Sequence, residues 1–230
     1  AKQTPYDTES PWYRWQLFLS LEQLNQTVAS IRGLDTGVIR IGTVTSVAVQ
    51  WLPGILKRFM ELHPGIDFKL FNGDYGDVNR WLAEGSIDVG FLALPADIDC
   101  ECIPLVEDRM LAILPKGHPF STMPKFPVAQ VQYESFISLL ESSDHDTRAI
   151  WKNTGVTPSI RFTSKDDYAI IAMVEQGLGM SIMPELLLKN HTENVVVMEL
   201  VPKASRLIGL AIPNASRTSP ATRSFVDCVV

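Results

Sequence analysis

Short apolar runs alternate with helical stripes from Val38 onward, and that alternation leaves few folds open to this chain. Val38-Ile39-Arg40-Ile41-Gly42 reads as a strand. Thr43-Val44-Thr45-Ser46 follows as a hydroxyl-rich turn, and residues 47–64 read as an amphipathic helix with Leu52, Ile55, Leu56, Phe59 and Met60 on one stripe. Pro53 inside that helix removes a backbone donor and predicts a bend. The unit then recurs. Residues 66–71 form a strand, Val78, Trp81 and Leu82 mark a helix closed by Gly85, and residues 87–94 are a near-continuous apolar run broken by Asp88. Such a run fits a strand buried on both faces. Repeated units of this kind predict an α/β domain with a largely parallel sheet.

A second group of units begins after the turn Leu114-Pro115-Lys116-Gly117-His118-Pro119, which ends a strand over 103–115 with a Glu107-Asp108 interruption. Strands are expected at 135–140, 159–162, 180–183, 195–200 and 206–212. Helices are expected at 144–153, 165–176, 184–190 and from 219 to the end. Gly177-Leu178-Gly179 lies after a helix, which suits a helix stop better than a dinucleotide loop. Upstream, residues 1–11 carry no periodic pattern. Residues 12–32 read as a helix whose Leu17, Leu21, Leu24, Val28 and Ile31 are spaced four, three, four and three apart, a coiled-coil seam.

A net charge of −6 excludes a broad electrostatic footprint for nucleic acid on this chain. An apolar fraction of 46% and a charged fraction of 20% belong to a globular protein with a sizeable core. The chain shows neither a signal-peptide pattern nor a long apolar span, so no membrane contact and a cytoplasmic location are expected. Cys100, Cys102 and Cys228 make no disulfide framework, and Cys100-Glu101-Cys102 has the wrong spacing for structural zinc. His63, His118, His145 and His191 belong to no catalytic motif, and there is neither a Gly-x-Ser-x-Gly elbow nor a phosphate loop. No enzyme activity, cofactor or metal is expected.

In open α/β sheets ligands sit beyond the carboxyl ends of strands. Four strand-end clusters qualify: Thr43-Val44-Thr45-Ser46; Asn72-Gly73-Asp74; Ser138 with Glu141-Ser142-Ser143; and Thr163-Ser164-Lys165-Asp166. Ser46 fits a helix N-cap, a role compatible with ligand contact, and Asp74 and Asp166 also read as helix-start acids. Lys165 is the one cation in these clusters. Pointing inward it would favour a carboxylate or inorganic anion; otherwise it is a solvated surface group. Leu94, Pro95 and Leu139 offer apolar walls or ordinary packing. The binding set expected from these clusters is Val44, Thr45, Ser46, Asp74, Leu94, Pro95, Ser138, Leu139, Thr163, Ser164 and Lys165.

An ordered set of motifs narrows this reading. Gly37-Val38-Ile39-Arg40-Ile41-Gly42, then Ser46, Leu52-Pro53, Phe59 and His63-Pro64 resembles the start of the effector-binding domain of LysR-type transcriptional regulators. So do Gly85-Ser86-Ile87-Asp88-Val89-Gly90, the Leu114-to-Pro119 turn, and Val174-Glu175-Gln176-Gly177-Leu178-Gly179-Met180-Ser181-Ile182-Met183-Pro184. The resemblance covers about residues 33–230. It implies two Rossmann-like α/β subdomains joined by two crossovers, as in type II periplasmic binding proteins. Subdomain I would be 38–113 plus 206–230, and subdomain II 114–205, after a tail and linker-helix remnant over 1–37. It further implies a small-molecule effector, anionic or polar, held between the subdomains. Ser46 is a commonly used contact position in the family. Other implications are a homodimer through subdomain I helices, with Trp51, Phe59 and Trp81 as anchors or core residues, and a tetramer in the full-length regulator. Promoter DNA would be bound by a winged helix-turn-helix that this chain does not show. A free-standing solute-binding protein of the same fold is the alternative.

Overall fold

The computed structural model describes residues 36–140, 145–213 and 218–230, together with Leu21 in a helical position. The 12–32 seam otherwise lies outside the described residues, as do residues 1–11 and the Glu141-Ser142-Ser143 cluster.

Strand β1 (Gly37–Thr43) lies between β2 (Ile66–Asn72) and β3 (Val89–Leu94), parallel to both. Its last five residues are buried, because helices cover both faces of a parallel sheet. Arg40 is among them, and its partner explains the one charge in the following apolar run. Asp88 Oδ2 accepts the Arg40 backbone N–H at 2.7 Å and lies 3.6 Å from its guanidinium.

The expected bend near Pro53 is a full division into two helices, α1 (Thr45–Gln50) and α2 (Leu52–Leu62), joined at Trp51. Pro53 falls in the first turn of α2, where a missing N–H costs nothing. α3 (Tyr75–Glu84) opens with a capping box in which Asp74 and Asp77 each accept the other's backbone N–H. It closes at Gly85 (φ 69°), whose left-handed conformation suits glycine.

Two long strands carry the rest. β4 (Glu101–Pro115) and β9 (Val195–Ile212) run antiparallel along nearly their whole lengths. The two strands expected at 195–200 and 206–212 are thus one. Leu111 pairs with Glu199 and Met110 with Ala204, so residues 200–203 bulge out of the ladder. Pro202 has no N–H for the ladder, and Leu200 and Val201 turn instead to β5 (Phe126–Pro127). The sheet order β2-β1-β3-β9-β4-β8, with β8 at Ser181–Pro184, mixes parallel and antiparallel pairs. Along this order the parallel run is β2-β1-β3, since β9 returns antiparallel to β3 and the largely parallel sheet expected is a mixed one.

Beyond β4, two 3₁₀ turns (Pro119–Thr122 and Val128–Tyr133) lead to β6 (Phe136–Leu139), which pairs in parallel with β7 (Ile160–Ser164). β6 also reaches the chain entering β8 through Ile137 N–H to the Met180 carbonyl and Met180 N–H to the Ser135 carbonyl. α4 (His145–Thr154), α5 (Asp167–Glu175), α6 (Glu185–Leu188) and α7 (Pro220–Val229) complete the fold.

Three apolar cores follow. The first gathers β1, β3, α2, α3, α7 and the C-terminal part of β9 around Phe59, Phe91 and Phe225. The other two lie on opposite faces of β4. Met110, Ala112 and Leu114 enter one, while Leu111 and Ile113 enter the other, as the two-residue strand period requires. The 177–179 glycines divide their labour. Gly177 takes φ 75° at the end of α5, whereas a Cβ on Gly179 would stand 2.2 Å from the Ser135 carbonyl oxygen. Because backbone cannot yield there, Gly179→Ala should lower stability by about 1–3 kcal/mol. A urea melt indistinguishable from the parent would refute that close approach. No helix among the described residues is long and apolar enough to cross a membrane.

Candidate functional site

A cavity of about 260 Å³ opens where the first core's strand ends face the second part of the molecule. One wall is the β1–α1 turn (Val44, Thr45, Ser46) and the β2–α3 turn (Asn72, Gly73, Asp74, with Tyr75 and Asp77). The opposite wall is Leu139 at the end of β6, Asp146 in α4, Lys165 and Asp167 at the β7–α5 turn, and Pro184 and Leu187 around α6. Arg206, from the shared strand β9, lies at the back.

Arg206 organises the cavity wall. Its Nε and one Nη donate to Asp108 Oδ2 at 2.9 and 2.8 Å; Asp108 stands opposite it on β4. The same Nη reaches Ser46 Oγ at 2.8 Å, and the other reaches Tyr75 Oη at 2.7 Å and Asp146 Oδ2 at 3.1 Å. A guanidinium has five N–H donors, and five bonds are made. Asp108 also accepts the Leu186 N–H at 2.9 Å, and Tyr75 donates to Asp146 at 3.0 Å. Burial disfavours the Arg206 charge, but the carboxylates of Asp146 and Asp108 outweigh it and hold the group above its ordinary range. Burial likewise pushes the Tyr75 phenol up, against the pull of Arg206, so it stays a neutral donor.

Asp167 is different. Burial pushes its carboxyl above the usual range, ahead of opposing help from the Thr45 hydroxyl and Arg206, while Asp166 and Asp146 add to the rise. It has no ion-pair partner among the described residues. Asp166 beside it is the N-cap of α5, accepting the N–H groups of Tyr168 and Ala169.

Of the residues expected from sequence, Val44, Thr45, Ser46, Asp74, Leu139 and Lys165 line this cavity. Ser46 is not the cap of its helix; Val44 holds that position without a side-chain bond, and Ser46 accepts from Arg206 instead. Leu94 and Pro95 line a separate cavity of about 270 Å³ on the far side of Tyr75, Asp146 and Arg206, so they do not join the first set. Ser138, Thr163 and Ser164 also fall outside it. Ser138 is buried, because alternation along β6 sends it to the face opposite Leu139. Thr163 is exposed on β7, and the Ser164 hydroxyl accepts the Asp166 N–H at 3.0 Å. Arg206, Asp108, Tyr75, Asp146 and Asp167 were not expected. One signal was present: the charges of Glu107-Asp108-Arg109 interrupt an otherwise apolar strand, and a charge buried there is costly unless it pairs.

Elsewhere, the Cys100 and Cys102 sulfurs are 3.6 Å apart. Burial and the neighbouring Cys102 push the Cys100 thiol up to about 12. No cluster of three metal-ligating side chains occurs among the described residues.

Two α/β units joined by a pair of shared strands, with a small cavity at the strand ends between them, define a ligand-binding fold of the type II periplasmic-binding-protein kind. Residues 32–230 match the family described as the LysR substrate binding domain, and the chain belongs to that family. It is 27% identical over 214 residues to the uncharacterized HTH-type transcriptional regulator YvbU of Bacillus subtilis, covering 92% of this chain and 73% of that protein. Among solved structures, HinK, a LysR family transcriptional regulator of Pseudomonas aeruginosa, superposes with a TM-score of 0.74 at 26% identity, over 99% of this chain and 80% of that one. The effector-binding domain of QuiR, solved in complex with shikimate, superposes with a TM-score of 0.77 at 23% identity, over 84% and 95% of the two chains.

Proposed function

We propose that this domain senses a small polar molecule held in the 260 Å³ cavity and, within a complete cytoplasmic regulator, uses it to adjust promoter binding, with no catalysis of its own. In this reading the domain has two lobes, which the sequence divides as residues 38–113 with 206–230 and residues 114–205. The core assignments favour a division on the shared strands at Asp108–Met110 and Ala204–Arg206. One observation supports this most. The cavity takes its walls from both lobes while its back is a single arginine bonded to both, so a ligand there contacts groups whose spacing depends on the angle between lobes. An effector acts only if it binds one such arrangement better than another.

Dimerisation through the first lobe is part of the same reading. Phe59 belongs to the core, whereas Met60 and Leu62 on α2 and Leu70 on β2 are exposed, so these three, in place of Phe59, supply the apolar surface. Tetramer formation and DNA contact belong to the complete regulator.

The test is to identify a molecule that co-purifies with the chain by native mass spectrometry, then measure its affinity for Lys165→Ala and Ser46→Ala by calorimetry. Each substitution should weaken binding by about tenfold, the worth of one polar contact. Unchanged affinity in both would remove this cavity as the effector site.

A further inference from the structure

We propose that the effector is a small amino carboxylate, its carboxylate meeting Lys165 and its ammonium group meeting Asp167. This rests on the cavity being the effector site. Four carboxylates line that cavity, Asp74, Asp77, Asp146 and Asp167, against two cations, Lys165 and Arg206. A simple anion such as phosphate or sulfate would enter against that balance.

Arg206 cannot relieve it, because all five of its N–H donors are already committed to Asp108, Ser46, Tyr75 and Asp146. The cation left to receive a ligand anion is Lys165, exposed at the rim and without an ion-pair partner among the described residues. On the acidic side, Asp146 is held by Tyr75 and Arg206. Asp77 pairs with Arg80 and completes the capping box with Asp74. Asp167 is the partly buried carboxylate left facing the cavity, helped by the Thr45 hydroxyl and the field of Arg206 but without an ion-pair partner among the described residues.

The two uncommitted charges are therefore one of each sign. They lie two residues apart across the turn into α5, separated by Asp166, whose side chain is turned onto the helix N–H groups. A ligand carrying both charges satisfies both residues at once. It also removes the burial penalty of Asp167 by giving it a charge-assisted partner. A cavity of about 260 Å³ holds a molecule of on the order of ten non-hydrogen atoms, in the size range of free amino acids.

The test uses the 230-residue chain and a defined panel: the free L-amino acids, their N-acetyl and carboxamide forms, acetate and lactate, and inorganic phosphate and sulfate. Thermal shift finds the strongest probe and calorimetry measures it. At least one free amino acid should bind, with its N-acetyl and carboxamide forms weaker by about tenfold or more. Asp167→Asn should weaken the free amino acid by about 10- to 100-fold and leave the N-acetyl form unchanged. Folding of that variant is checked separately. Because burial raises the Asp167 pKa, its penalty is present above that pKa and relieved as pH falls through it. Ligand-free Asp167→Asn should thus melt slightly higher than the parent at neutral pH, by about 1–3 °C, and lose that gain on acidification.

The proposal is overturned if no amino acid binds, or if blocking the nitrogen changes nothing. It also falls if Asp167→Asn binds the amino acid as well as the parent does. A nitrogen-free carboxylate that binds and is lost in Lys165→Met would sink this inference while leaving the cavity as the effector site. A probe that binds equally to the parent, Asp167→Asn and Lys165→Met would sink both.

Discussion

Replacing Arg206 with alanine should lower the stability of the domain by about 3–5 kcal/mol, the usual consequence of removing one partner of a buried ion pair. The side chains of Arg206 and Asp108 are 8% and 4% exposed, so the charge left on Asp108 would have almost no water to turn to. Asp108 would keep its bond from the Leu186 N–H, while Ser46, Tyr75 and Asp146 would each lose a donor. In a chain of this size such a loss corresponds to a fall in Tm of about 10 °C. Removing both partners should cost clearly less than the sum of the single losses, because the second substitution removes the orphaned charge. Urea denaturation of Arg206→Ala, Asp108→Ala and the double variant measures this. A loss under 1 kcal/mol for Arg206→Ala, or strict additivity, would mean that the network does not hold the shared strands together.

Phe59→Ala should have a comparable cost, about 3–5 kcal/mol, through a different cause. The ring is fully buried at the centre of an aromatic group. His63 stacks on it at 4.4 Å, and Phe225 and Phe68 meet it edge-on at 5.5 and 5.7 Å. Those partners come from the end of α2, from α7 and from β2, so the cavity left behind would loosen three elements together. Phe59→Leu should recover a large part of the loss, since it refills most of the volume. The group lies in the first core, away from the cavity walls. Ligand affinity per folded molecule should therefore stay at the parent value when measured by calorimetry at low temperature. A destabilised variant with altered affinity would show that this core is coupled to the site.

These two residues differ in how far they could be read beforehand. Phe59 lies on a helical stripe with Leu52, Ile55 and Leu56, and the stripe alone marks it as facing inward. Arg206 stands at the head of an apolar strand and Asp108 is an interruption in another, about a hundred residues away. Nothing local says that the two strands pair in a register that sets them opposite each other. The same limit accounts for the division of the expected site. Thr45 and Lys165 follow strand ends directly and so reach the cavity. Ser138 and Thr163 are inside strands, where a single step of alternation decides which face a side chain takes; Ser138 is turned into the core and Thr163 out to the surface, and the pattern of hydroxyls does not carry that step.

The order of strands and helices, the glycine and proline punctuation, the helix-start acids Asp74 and Asp166 and, through ordered motifs, the family are all legible in the residues alone. Each depends on neighbours within a few residues, where backbone geometry and apolar periodicity act directly. Long-range packing settles that residues 195–212 are one strand with a bulge, that the sheet is mixed, and that Ser46 serves Arg206 instead of capping a helix. It also decided which charges at the cavity are already taken. Pairing across a hundred residues depends on register and on the summed packing of three cores, and no local stretch of chain encodes either.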